Sequence, residues 1–172
     1  MFQALPKYLI RNWSFSIDGI SQIGQASEFG IPEIKFKTED IRNAGMIMPI
    51  KARMGIEPLV GKMKIMAFDP GTLSLFGVQI GKANTFLGAC YAVDEDGGGE
   101  HQGVFTAKGY ITQLKVESWQ ADGKKHETEY EMNYSYCKLE IDSKPVFEIT
   151  PYDIIIRGNS MYPGQATALM IT

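Results

Sequence analysis

The segment that decides the fold lies in the middle of the chain and reads IRNAGMIMPIKARMGIEPLVGKMKIMAFDPGTLSLFG, from Ile41 to Gly77. Its first part, Ile41 to Gly55, contains Gly45, Pro49 and Gly55. These residues argue against a continuous helix or a central strand, because proline removes a backbone donor and glycine weakens regular structure. We therefore predict a long extended loop in this part of the chain.

The predicted loop is unusually apolar. It includes Met46, Ile47, Met48 and Met54, whereas loops on small domains are normally polar. An apolar loop either exposes a patch that contacts another protein or lies beneath the sheet of its own domain. The residue pattern alone leaves both interpretations open.

A strand and a short helix are predicted to follow the loop. Val60 to Phe68 alternates lysines on one face with apolar residues on the other, as a half-buried strand requires. Asp69 is suited to capping the next helix, Pro70 to its first position and Gly77 to a left-handed C-terminal cap. A helix of about two turns is not stable alone, so it must dock on a sheet.

The rest of the chain predicts further strands that make the fold mainly β. Gly109 interrupts one long strand, where we expect a bulge or a close backbone approach. The apolar positions change parity between Tyr134 and Leu139, which predicts a bulge near Ser135 or Tyr136. Alternating apolar residues or short apolar runs place the strands near Trp13 to Ile17, Glu33 to Glu39, Phe86 to Val93, Gln102 to Trp119, Tyr130 to Ile141, Val146 to Ile149 and Ile154 to Ile156.

Length and charge limit the possible functions. A chain of 172 residues without a shift in composition predicts one domain over residues 1–172. The formal charge of −3 disfavours tight electrostatic binding to DNA or to an anionic membrane. No apolar run approaches the ~20 residues of a membrane span, and residues 1–12 lack the apolar core of a signal peptide. We expect synthesis in the cytoplasm and no membrane partner.

The sequence contains no recognisable catalytic motif. His101 and His126 are the two histidines, and both lie beside polar turns where a solvated side chain is expected. Neither a nucleophile elbow nor a phosphate-binding loop is present, so we predict no enzymatic activity and no cofactor. Trp13, Trp119, Tyr130 and Tyr134 leave open a stand-alone β-sandwich that binds a small ligand, although core packing is more typical of such aromatics.

Two further features have structural interpretations. The acidic run of residues 94–100 suggests a calcium loop through Asp94, Asp96 and Glu100, but it connects two predicted strands and is more typical of a mobile hairpin tip. Cys90 and Cys137 could pair in an oxidising compartment, but each lies in a strand-like run, so we predict two buried thiols.

A combination of local patterns, in order along nearly the whole chain, resembles the major tail tube proteins of contractile-tailed phages and phage-tail-like bacteriocins. No single pattern is diagnostic, but their shared order and spacing make coincidence improbable. The residues that support the resemblance are Leu5-Pro6, Phe15, Asp18-Gly19, Glu39 to Met46, Pro49, Met54-Gly55, Leu75-Phe76-Gly77, Lys138 to Asp142 and Val146 to Ile149.

The resemblance implies a β-sandwich or barrel-like tail-tube domain with one short α-helix and a long extended loop. Six copies are expected to close into a ring, and rings to stack into a hollow tube. In that family the loop corresponding to Ile41 to Gly55 reaches neighbouring subunits, and both chain ends contribute to ring contacts. The resemblance therefore favours an exposed loop, with subunit-interface residues Arg42, Met46, Ile47, Met48, Pro49 and Met54.

Partners and location also follow from the resemblance. A tail sheath protein, a baseplate and a tape-measure protein are expected, and the assembled tube would belong to a virion tail or an extracellular phage-like particle. DNA would pass through the lumen without specific binding, and an acidic lining would keep it from sticking. The candidate lumen face is Glu127, Glu129 and Glu131. A secretion or bacteriocin tube that carries no DNA is the alternative.

Overall fold

The computed structural model describes residues 6–66, 70–77, 80–118 and 126–170. Predictions made for residues 5, 67–69 and 119 lie outside the described residues. The fold is mainly β, as predicted. Its strands are β1 (Leu9–Ile17), β2 (Ile20–Ser21), β3 (Ala26–Gly30), β4 (Phe36–Ile41), β5 (Ile50–Ile56), β6 (Leu59–Ile65), β7 (Asn84–Val93), β8 (Glu100–Val116), β9 (Thr128–Ile141), β10 (Lys144–Ile149), β11 (Ile154–Ile156) and β12 (Asn159–Ser160).

Ten of these strands form one antiparallel sheet that branches at β9. The sheet has the order β12-β11-β10-β9-β8-β7-β1-β2, and β6 also pairs with β9 and carries β3 on its other side. The second half of β9 pairs with β10, whereas its first half, from Thr128 to Tyr134, pairs with β6. The branch allows one face of the sheet to curl around a core.

The core lies inside this curled sheet. The ring of Phe29 on β3 lies 4.4 Å from that of Phe15 on β1 and 5.7 Å from that of Phe105 on β8, so β3 returns across the sheet. Burying large apolar side chains is the main source of stability in such a domain. The largest fully buried apolar side chains are Tyr130, Phe86, Ile17, Met63, Ile65, Met132 and Ile149.

The predicted bulge in β9 is confirmed. Lys108 on β8 pairs with Tyr136, and the next residue, Gly109, pairs with Tyr134, so Ser135 has no opposite residue. The hydroxyl of Ser135 donates instead to the carbonyl of Lys108 at 3.2 Å. The extra residue keeps both the first and second halves of β9 directed into the core despite their different parity.

A short helix lies against the core. Helix α1 (Pro70–Ser74) continues into a 3₁₀ turn (Leu75–Gly77), which matches the predicted two turns and begins at the predicted proline. Thr72 is buried, and its hydroxyl donates to Gln22 at 3.5 Å. The predicted left-handed cap at Gly77 is wrong: Gly77 still belongs to the 3₁₀ turn and does not have a positive φ.

The central segment is a hairpin and not an irregular loop. Its second half forms β5, which pairs with β4 from Ile41↔Ile50 to Phe36↔Ile56. A strand is possible there because the hairpin forms its own two-stranded sheet, in which the positive φ of Gly55 (116°) causes no steric conflict. The segment is long and extended and contains no central strand, as predicted, but its second half is a strand and not a loop.

Three smaller predictions can now be assessed. Cys137 is fully buried, but Cys90 is only half-buried, so the prediction of two buried thiols is wrong for Cys90; both cysteines are free. A four-residue helical turn, α2 (Gln165–Ala168), follows β12 and is additional to the one helix that was predicted. Within the described residues, no helix is long and apolar enough to cross a membrane.

Candidate assembly surfaces

The β4–β5 hairpin extends from the main sheet as a separate unit. Within the described part of the chain, its two strands pair with each other and with no strand of the main sheet. Both outer edges are therefore unpaired. Free strand edges and an absent core are unusual in an isolated protein, because such edges readily pair with other chains. The hairpin is consequently the strongest candidate for a contact between subunits.

The predicted interface residues do not all have the same surroundings. The turn at the end of the hairpin, residues 42–49, is the hairpin tip. Met46 accepts hydrogen bonds within it, from the amide of Asn43 to its sulfur (3.2 Å) and from Arg42 Nε to its carbonyl (3.3 Å). Arg42 and Met46 therefore hold the tip in shape, which limits their part in a contact with another chain.

The other predicted residues are free to make such a contact. The side chain of Ile47 is 95% exposed and that of Met48 is 70% exposed. Met54 and Pro49 are also exposed. Exposing large apolar side chains to water is unfavourable. A group of them on one projection therefore marks a contact surface. The structure therefore favours the exposed-loop interpretation over the one in which the segment is tucked beneath its own sheet.

The three glutamates proposed for the lumen lie close together, and lysines of a neighbouring strand lie beside them. Glu129 and Glu131 lie on the outer face of β9, opposite Lys64 and Lys62 of β6. Glu127 precedes the strand, and its amide donates to a carboxylate oxygen of Glu117 at 3.2 Å. This outer surface is therefore of mixed charge, which the sequence pattern alone did not reveal.

Several of these charges are paired. Lys64 Nζ lies 2.9 Å from a carboxylate oxygen of Glu28, and this hydrogen bond raises the pKa of Lys64 above its usual value. Lys115 of β8 lies 4.0 Å from Glu129. Glutamates therefore partly neutralise Lys64 and Lys115, whereas Lys62 is placed opposite Glu131 only by the strand register.

The acidic run of residues 94–100 holds the N-terminal segment, a role that the sequence did not indicate. Asp94 accepts a hydrogen bond from the amide of Tyr8 (2.9 Å), and Lys7 lies 3.5 Å from Asp96. Arg11 forms an ion pair with Glu95. The predicted mobile hairpin tip is thus bonded to the start of the chain, and Asp94 is used there. In the described ranges, no group of three or more His, Cys, Asp or Glu side chains has an arrangement that could hold a metal ion.

His101 lies inside this contact, so the prediction of a solvated histidine is wrong. Its side chain is only 17% exposed, with Nδ1 2.7 Å from Asp142 and Nε2 3.4 Å from Asp94. The ring of Tyr8 lies 4.2 Å from the imidazole ring. His101 therefore joins the N-terminal segment, the turn after β7 and the turn after β9. No local sequence motif identifies this contact, because the partners of His101 come from distant parts of the chain.

The two carboxylates determine the protonation of His101. The hydrogen bond to Asp142 is the main cause that raises the pKa of His101 above its ordinary value near 6.5, and the nearby carboxylate of Asp94 adds to it, despite partial burial. The backbone amide of Tyr8 donates to Asp94, and that of Gln102 donates to Asp142. These hydrogen bonds, together with the neighbouring His101, lower the pKa of both carboxyl groups. All three groups are therefore charged at pH values between the lowered carboxyl pKa values and the raised pKa of His101.

A pH dependence of stability follows from these shifts. A raised histidine pKa stabilises the fold below about pH 6.5, and this contribution is lost as pH rises through the higher folded value. The lowered aspartate values stabilise above about pH 3.8 and lose their effect on acidification. We expect the difference in unfolding free energy between the wild type and His101→Gln to be largest between about pH 4 and 6.5.

Chemical denaturation across the pH range measures this difference, and an NMR titration should give His101 a midpoint above 6.5. The His101→Gln spectrum identifies the resonance. A difference between wild type and variant that does not change with pH would contradict the assignment of His101 as a charged contact.

Two of the aromatic residues considered for a ligand site are in the core. Tyr130 and Tyr134 are buried there, so they cannot form the exposed aromatic ligand site that was left open. At the other chain end, Met170 is 90% exposed and Leu169 is also exposed. Leu169 and Met170 therefore do not pack against the rest of the described structure.

Comparisons with known proteins agree with this fold. The family model for phage tail tube protein FII matches residues 7–162. No curated protein matches the chain significantly. Solved structures with the same fold include the sheath/tube terminator of an extracellular contractile injection system, PVC, in the extended state. Its TM-score is 0.59 at 13% identity, over 81% of this chain and 99% of that one.

Two more structures share the fold at similarly low identity. The sheath-tube complex of PVC in the extended state gives a TM-score of 0.57 at 11% identity, covering 79% of this chain and 90% of that one. The tube-terminating cap of the anti-feeding prophage gives 0.58 at 10% identity, covering 81% and 93%. Since the family match extends over most of the sequence, the chain belongs to the phage tail tube protein FII family, whose members are structural proteins and not enzymes.

Proposed function

We propose that this tail tube protein closes into rings of six copies, and that the rings stack into a hollow conduit. The observation that supports this best is the hairpin tip, where Ile47 and Met48 are exposed on a two-stranded sheet with unpaired edges. An isolated subunit gains nothing from such a projection. A subunit that contacts copies of itself buries the side chains and can pair the edges.

The expected contact is heterologous, since the hairpin tip of one copy would meet a different surface of the next. Contacts of this type close into a ring when the rotation permits and otherwise extend without limit. Stacking of rings then requires a partner that sets the length. A tape-measure protein is proposed for this role, together with a sheath protein around the tube and a baseplate at its end.

The similar solved structures support a tube with a sheath at the level of the fold. They include a sheath-tube complex and a sheath/tube terminator of a contractile injection system, and a tube-terminating cap of the anti-feeding prophage. We infer a place in the tail of a virion, or in an extracellular phage-like particle, after synthesis in the host cytoplasm. DNA transport and a DNA-free injection device remain two forms of the same proposal. Capsid and terminase genes beside the gene would indicate the phage form.

The lumen is proposed to be lined by the face that carries Glu127, Glu129 and Glu131. Free lysines on a lumen wall would bind phosphate groups and slow the passage of DNA. On this face, however, Lys64 and Lys115 already lie near glutamates, at 2.9 and 4.0 Å. The wall would therefore have low affinity for DNA even though it is not purely acidic.

Electron microscopy of the purified protein at high concentration tests the proposal. We expect rings or hollow tubes of uniform diameter, with six-fold symmetry in end-on views. The same preparation is then mixed with the sheath and baseplate proteins encoded nearby. A protein that remains monomeric both alone and with these partners would overturn the proposal.

A further inference from the structure

The inner face of the sheet is uncovered at one end. Beyond Phe29 no described element covers it, and a groove of about 290 Å³ opens there. The rim is apolar: Ile10 is 64% exposed, and Ile31 and Trp13 are also exposed. Six side chains define this open groove, namely Ile10, Trp13, Phe29, Ile31, Cys90 and Leu139.

The groove exists because its floor carries glycines. A Cβ atom on Gly88 would lie 3.0 Å from the ring of Phe29, and one on Gly103 would lie 2.6 Å from the sulfur of Cys90. Side chains at these two positions would fill the space or displace its walls. Glu28 is the one charged residue among those lining the groove, and it is already paired with Lys64. An apolar occupant would therefore meet no unpaired charge in the groove.

The geometry points to the hairpin tip of a second copy, with Ile47 and Met48, as the occupant of the open groove. This inference rests on the proposed function and identifies the surface that receives the hairpin. The tip is apolar and exposed, and the groove is apolar and open. Binding of the tip in the groove would therefore bury both apolar surfaces. Because tip and groove are different surfaces of one chain, each copy can donate to one neighbour and accept from another.

The hairpin of the same copy is poorly placed to fill the groove. Ile31 lines the groove and lies in the connection from β3 to β4, so the base of the hairpin is tethered close to the groove and the tip is separated from that base by the length of β4. The six residues of β4 span roughly 20 Å when extended. The tip can return to its own groove only if the paired hairpin bends back, whereas a neighbouring copy can present its tip directly.

Disulfide trapping tests this contact, because the native Cys90 already lines the groove. In a Met48→Cys variant, mild oxidation with dissolved oxygen and a copper catalyst should join the new thiol to Cys90 of the adjacent copy. A disulfide requires Cα atoms within about 4.4–6.8 Å, so the bond reports a close contact. We expect a ladder of reducible covalent oligomers on a non-reducing gel.

The matched control is Met48→Cys combined with Cys90→Ser, which should give at least tenfold less cross-linked product. Cys137 cannot substitute, because burial raises the pKa of its thiol to about 11 and shields it. Ile47→Cys provides a second position if Met48→Cys prevents assembly. Electron microscopy of the same samples records whether tubes are present.

The outcomes separate the two hypotheses. Tubes with a Cys90-dependent ladder support both. Tubes in which neither cysteine variant gives that ladder, or gives only dimers that persist in the Cys90→Ser variant, overturn the groove assignment and leave the tube function standing. Wild-type protein that never assembles overturns the proposed function, and the groove assignment with it.

Discussion

Met48→Asp is expected to abolish tube formation and leave the domain folded. Met48 is 70% exposed at the hairpin tip, so the carboxylate is solvated in the free subunit and costs little there. In the assembled contact the same carboxylate would be removed from water without a partner. Breaking such a contact typically costs about 3 kcal/mol or more, which is more than a hundredfold in affinity at each contact.

The loss should be larger for a tube than for a single pair of subunits, because every copy makes the same contact. Negative-stain microscopy and sedimentation at matched concentrations measure assembly, and the denaturation midpoint measures folding. Met48→Leu is the matched control, since it preserves an apolar side chain of similar volume and should retain tubes. Normal tube yield and length in Met48→Asp would exclude the hairpin tip as an interface.

The sequence predicted best those strands that have one buried face. In β9, Tyr130, Met132 and Tyr134 are buried and the residues between them are not, because a period of two matches the pleat. The same burial explains why the parity change at Ser135 predicted a real bulge. A pattern is reliable where the core selects the residues on one side.

Strands without a buried face were predicted less well. The strand predicted near Glu33 to Glu39 overlaps β4, but no strand was predicted at β5, which has no fully buried residue and so no alternation imposed by a core. β3 was also missed, because Phe29 is its main contribution to the core. Local composition could predict that residues 41–55 are apolar and irregular. It could not predict that the second half of this segment forms a strand that pairs with β4.

The candidate sites likewise divide into those that a local sequence pattern predicts and those that only the fold creates. The hairpin tip could be singled out from sequence because its apolar residues are consecutive. The contact around His101 could not, since Tyr8, Asp94 and Asp142 are brought together only by the fold. The open groove is equally non-local, and its cause is two glycines on neighbouring strands. Sequence reasoning located the donor surface of the proposed contact but not the acceptor.

Gly109→Ala is expected to cause the largest loss of stability among single-atom additions to the sheet. A Cβ atom at Gly109 would lie 2.1 Å from the backbone carbonyl oxygen of Asn133 and 2.9 Å from the Cα atom of Tyr134. Backbone atoms cannot move aside as the end of a side chain can. The two central strands, β8 and β9, would have to separate beside the bulge at Ser135, which should cost about 3 kcal/mol.

Urea denaturation of Gly109→Ala beside the wild type measures this loss as a lower free energy of unfolding. Gly164→Ala is the matched control, because Gly164 has a helical backbone (φ −95°, ψ −9°) and nothing lies within 4 Å of its added Cβ. That control should change stability by no more than about 0.5 kcal/mol. Equal stabilities for both variants would contradict the close approach of β8 and β9. If Gly109→Ala instead loses stability and still forms tubes at low temperature, the strand contact supports the fold of the subunit and the hairpin tip supports its assembly.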